Sequence, residues 1–85
     1  MTTSHLSTTT ASHAVSALRK SFPFDTIATE QTYLGKIHIK IISEKFNNKT
    51  ERQKQRIVWN ILKKELNIEE IQLISLALAY GTDEL

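Results

Sequence analysis

The stretch between Ser43 and Leu66, SEKFNNKTERQKQRIVWNILKKEL, most limits what this chain can become. From Glu51 onward its apolar residues fall at Ile57, Val58, Ile61, Leu62 and Leu66, with charged residues filling most other positions. That spacing has the period of an amphipathic helix. Two start signals overlap ahead of it. Asn48 with Glu51, and Thr50 with Gln53, each set a capping oxygen three residues before a side chain that can reach back. The spacing predicts one long helix over residues 49–66.

A chain of 85 residues allows one small domain. The Ser/Thr-rich run 1–12 reads as a mobile tail, and residues 13–85 as the folded unit. A helix is expected from Ala14 to Phe22, capped by Ser12, with Val15, Leu18 and Phe22 on one face and Pro23 beyond it. Thr26 to Thr32 has the β-branched content of a strand. Tyr33, Leu34, Gly35 and Lys36 form a tight turn, with Gly35 free to take a positive φ. Ile37, Ile39 and Ile41 alternate with His38, Lys40 and Ile42, a strand with one apolar and one mixed face. Asn67 to Glu70 reads as a connector, and Ile71 to Ala79 as a strand covered on both sides.

The expected architecture is therefore α+β in two layers, ordered helix, strand, strand, helix, strand. The first two strands form a hairpin. The long helix is a right-handed crossover that returns the third strand parallel to a hairpin strand. The sheet is mixed and three-stranded, with the helices on one face.

Several function classes lose support here. The chain has no cysteine, so it has no disulfide, thiolate ligand or thiol nucleophile. No phosphate-binding glycine loop or nucleophile elbow occurs, and an enzyme is not expected. The apolar run from Ile71 to Tyr80 is too short to span a bilayer, and the expected location is the cytoplasm. The adjacent Glu69 and Glu70 read as a solvated pair. His5 and His13 read as solvated too. His38, on the second strand, is the one weak metal-ligand candidate; a half-exposed strand histidine is the commoner role of a lone His. Trp59 reads equally as a core-edge residue and as a docking anchor.

The ordered set of motifs resembles the BolA-like proteins, including their IbaG branch. The strand IHIKIIS ends at Ser43, and Phe46 stands two residues before Asn48, where that family prefers Gly. Lys54, Gln55 and Arg56 occupy the place of its basic triplet, and Ile57, Val58 and Leu62 follow in register. Ile71 to Leu76 lies where the family's last strand begins, and AYGTDEL resembles its C-terminal ending. Asn is the non-glycine residue that best tolerates the left-handed region, so Asn48 can keep the family's turn.

The resemblance covers residues 14–85 and implies a KH type II-like topology. It also implies a partner, a monothiol glutaredoxin, and a role in iron–sulfur cluster or iron homeostasis, with a [2Fe–2S] cluster shared between the two proteins. The family's cluster ligands are a His at the start of the last strand and a His or Cys at the hairpin loop. Those positions correspond here to Gln72 and to Tyr33–Lys36, which offer neither the thiolate nor the imidazole that such a cluster takes. The chain alone is thus expected to hold no cofactor, and to exist as a monomer or weak homodimer. The partner surface implied is Lys54, Gln55, Arg56 and Gln72. The alternative is a DNA- or RNA-binding transcriptional regulator. Its phosphates would follow Lys49, Arg52 and Arg56, spaced i, i+3, i+7.

Overall fold

The long central helix, α2, runs Glu51–Glu65 and starts from the second of the two overlapping signals. Thr50 Oγ1 accepts from Gln53 N at 3.2 Å, and Gln53 Oε1 accepts from Thr50 N at 2.8 Å. Lys54, Val58 and Leu62 lie one turn apart along its buried line, which Leu66 continues past the helix end. Ile57 and Ile61 flank that line, half-buried. Asn48 takes φ 64°, the left-handed conformation expected of it, and turns the chain into the helix. Lys49 consequently precedes α2 instead of lying on it.

The protein is described by a computed structural model covering residues 2–85, with side chains from Thr9 onward. Its first helix, α1, runs Thr2–Arg19. The boundary expected at Ser12 is corrected: the Ser/Thr-rich run is continuous with the helix. Thr10, Ala11, Ala14, Ala17 and Leu18 are buried at helical spacing, and α1 lies against α2 and the first strand. Small side chains at these positions let the helix approach closely, and this packing overrides the modest helix propensity of Ser and Thr. The expected solvated state of His5 lies outside the described side chains.

The hairpin strands are β1, Thr26–Gln31, and β2, Ile37–Ile42. They pair antiparallel with Glu30 opposite His38 and Ala28 opposite Lys40. The turn between them has Gly35 at φ 82°. Thr32 O accepts from Gly35 N at 3.0 Å, and Thr32 N donates to Lys36 O at 2.9 Å.

After α2 comes a short helix, α3, Ile68–Leu73, and then the last strand, β3, Ile74–Tyr80. Asn67 Oδ1 accepts from Glu70 N at 2.9 Å, and Glu70 Oε1 accepts from Asn67 N at 3.1 Å. This second capping box turns the expected connector and the expected strand start into a helix. Glu70 is not a solvated carboxylate but is buried.

β3 is parallel to β2, in the order β1-β2-β3. It is thus an edge strand with an open face, not a strand covered on both sides. Ile37, Ile39 and Ile41 point under the helices with Ile74, Ala77 and Ala79, while Leu76 is 41% exposed. Phe22 and Phe46 close the core beside α1, with ring centroids 5.2 Å apart. The architecture is α+β, a three-stranded mixed sheet packed against helices. Among the described residues no helix is long and apolar enough to cross a membrane.

Candidate interaction surface

The hairpin turn and the end of α3 form one corner of the molecule. β2 and β3 begin side by side, with Ile37 paired to Ile74. From the turn, Lys36 Nζ reaches across and donates to the carbonyl of Gln72 at 3.2 Å. Gln72 itself is exposed, on α3 rather than on a strand. At the tip of the turn Tyr33 is 96% exposed and Leu34 66%. Both large side chains at the tip thus stand in solvent instead of joining the core.

The basic triplet separates into three different roles. Lys54 is 3% exposed and sits at the head of the buried line of α2. Its ammonium donates to Glu84 Oε1 at 2.7 Å and lies 3.3 Å from Glu51 Oε1. The bond to Glu84 raises its pKa above the ordinary value, against the opposing effect of burial. Glu84 Oε1 also accepts from Gly81 N at 2.7 Å. The Lys54 bond and the Gly81 N–H together hold the Glu84 carboxyl below its ordinary pKa. Lys54 is therefore a tie between α2 and the C-terminal turn, and its charge is spent inside the chain.

Gln55 is half-buried and also turned inward. Its Nε2 donates to Ala77 O at 2.7 Å, and its Oε1 accepts from Trp59 Nε1 at 3.1 Å. Trp59, half-buried, thereby satisfies its indole N–H within the chain, as a core-edge residue does. Ala77 O points away from β2, so Gln55 covers the middle of the exposed edge of β3. Ser75 is an extra residue between the pairs Ile37–Ile74 and His38–Leu76, a bulge near the start of the same edge. Gly81 N, just past the end of β3, is taken by Glu84. The bulge and the two side-chain bonds together blunt the edge against strand addition.

Arg56 remains exposed, as do Arg52 and Lys49. Among the described residues none of the three forms an ion pair. Arg52 and Arg56 are one turn apart on α2, with Lys49 in the loop before it.

His38 lies on the open face of the sheet, its Nδ1 4.0 Å from Glu30 Oε1. Among the described residues no group of three His, Cys, Asp or Glu is close enough together to hold a metal ion. His13, expected to be solvated, is instead hydrogen-bonded through Nδ1 to Glu70 Oε2 at 2.9 Å. Burial pushes the Glu70 carboxyl up, but His13 and the Asn67 N–H outweigh it and leave the pKa below its ordinary value. The Asn67–Glu70 spacing carries the same capping signature as Thr50–Gln53, so this pair is legible in the sequence. The contact of Glu70 with His13, 57 positions away, is not. No family model, curated protein or solved structure matches this chain.

Proposed function

We propose that this chain is a non-enzymatic adaptor of the BolA-like kind, acting in iron–sulfur cluster or iron homeostasis by docking a monothiol glutaredoxin. The observation that carries this reading is the corner joined by the bond from Lys36 to Gln72. It sets the hairpin turn beside Gln72, the two places that the resemblance matches to the family's cluster ligands, with Gln72 on α3 two residues ahead of the last strand. Here those positions offer an amide, an ammonium and the exposed pair Tyr33 and Leu34. Docking then rests on burial of the tip, with Gln72 as a polar neighbour, and the chain donates no ligand to a shared [2Fe–2S] cluster. Lys54 and Gln55 stand apart from this corner, tied inward to Glu84 and to Ala77 O.

The test is a calorimetric titration with a monothiol glutaredoxin, with and without iron and glutathione. The wild-type chain is expected to bind. The Tyr33→Ser, Leu34→Ser double variant should bind at least about tenfold more weakly. His38→Ala should leave the visible-range spectrum of any cluster-bearing complex unchanged. Absence of a wild-type complex in every condition overturns the reading.

A second reading, a DNA- or RNA-binding regulator, is favoured by one observation. Among the described residues Lys49, Arg52 and Arg56 are exposed and form no ion pair, whereas Lys54 is neutralised internally. Phosphate contacts by these groups require an affinity that falls steeply with salt and is lost on charge reversal at all three. A wild-type chain that binds neither duplex nor single strands at low salt removes this reading.

A further inference from the structure

The face of the sheet turned away from the helices is not the polar surface that a solvated strand face usually presents. Its rows follow from the pairing: Glu30, His38 and Leu76 in one, Ala28, Lys40 and Leu78 in the next, then Thr26, Ile42 and Tyr80. The β3 column is thus Leu76, Leu78 and Tyr80, with Ile42 beside it. A shallow cleft of about 190 Å³ opens here, bordered by Glu30, His38, Lys40, Leu76 and Leu78 among others.

Beside this apolar column stand His38, Thr26 and two opposite charges, Glu30 and Lys40. Glu30 is 82% exposed and has only the 4.0 Å approach of His38. Lys40 is exposed and, among the described residues, forms no ion pair. A polyanion would find the cation offset by a carboxylate. A surface with one acid and one base at separate positions is complementary to itself. In a two-fold pair, if Glu30 of one copy meets Lys40 of the other, Lys40 of the first must meet Glu30 of the second.

We propose that this open face is the contact surface for a second copy of the same chain. This face is distinct from the hairpin tip that carries Tyr33 and Leu34. The two-fold axis lies between the two sheets and passes midway between Glu30 and Lys40. At ideal strand spacings it runs close to Leu76, so the Leu76 side chains of the two copies meet. Three strands of this length offer about 300 Å² of face. A stable interface buries about 800 Å² on each partner. The pair is therefore weak and concentration-dependent.

Sedimentation equilibrium up to millimolar protein tests the idea through charge exchange. Wild-type chains should shift from monomer towards dimer mass as concentration rises. Glu30→Lys gives a face with two cations and Lys40→Glu a face with two carboxylates, so each variant alone should remain monomeric. An equimolar mixture of the two should associate at least as well as wild type, because both cross-contacts are then attractive. Both positions are exposed, and unchanged circular dichroism melts confirm that the variants fold. A wild type that stays monomeric assigns the face to some other occupant and overturns the proposal. So does a mixture that stays monomeric, or single variants that pair as the wild type does.

Discussion

Asn48 carries a strained backbone for a reason that its neighbours explain. At φ 64° it reverses the chain between the turn at Phe46 and the cap at Thr50, and its N–H donates to Asp83 Oδ2 at 3.2 Å. Beside it, Asn47 Oδ1 accepts from Asp83 N, and Asn47 Nδ2 donates to Thr82. Gly81 completes the contact: a Cβ there would stand 3.1 Å from Asn47 Cα. Loop and C-terminal turn thus fit together through small polar groups. A β-branched residue disfavours the left-handed region by roughly 1–2 kcal/mol, whereas Gly enters it freely. Asn48→Val should therefore lower the unfolding free energy by about that amount, and Asn48→Gly should leave it nearly unchanged. Guanidinium melts measure both; equal stability of the Val and Gly variants would contradict the strain argument. The left-handed role of Asn48 was readable from residue type alone. The fit of Gly81 against Asn47 was not, because nothing local to either residue announces a neighbour so distant in sequence.

Among the elements, α2 and the hairpin were readable because periodicity and turn chemistry agree with the packing they enter. α3 was missed although Asn67 and Glu70 carry its start signal, since the apolar run behind them favours a strand and outweighed it. Tertiary contact decides the outcome: Glu70 is drawn into a buried bond with His13 of α1, and the chain becomes strand only from Ile74. The extent of α1 is hidden for the complementary reason: before Val15 its only large apolar residue is Leu6, and one such residue sets no helical period. The edge position of β3 was also beyond a one-dimensional reading. An uncharged edge strand needs cover, and Gln55 provides it at Ala77 O while accepting from Trp59. Gln55→Leu removes both bonds and leaves a part-buried indole N–H unpaired. It should cost roughly 1–3 kcal/mol and make the protein aggregate on heating more readily than wild type. Light scattering during a thermal ramp, beside guanidinium melts, checks this. A variant with full stability and no added scattering would show that the edge needs no guard.

Three carboxylates tie the molecule together across its layers. Glu65 binds Lys20 at 2.8 Å, linking α2 to α1; Glu70 binds His13, linking α3 to α1; Glu84 binds Lys54, linking the C-terminal turn to α2. All three have pKa values below the ordinary 4.5, Glu65 chiefly through the Lys20 bond. A carboxyl whose pKa is depressed by folding binds fewer protons folded than unfolded around that pH. Its stabilisation is complete above the unfolded value and disappears as pH falls through the folded one. The contribution of Lys54 has the opposite sense, since its pKa is raised: it is present below the ordinary 10.5 and lost only in strong alkali. The chain should therefore be most stable across neutral pH and lose stability progressively as pH drops below about 4.5. Replacing Glu65, Glu70 and Glu84 together by Gln retains shape and acceptor oxygens but removes these titrations. The triple variant should melt below wild type at pH 7, and the difference should shrink as the solution is acidified from pH 5 to pH 3. Circular dichroism melts across that range decide it. If the gap between variant and wild type stays constant down to pH 3, these three contacts do not account for the acid lability.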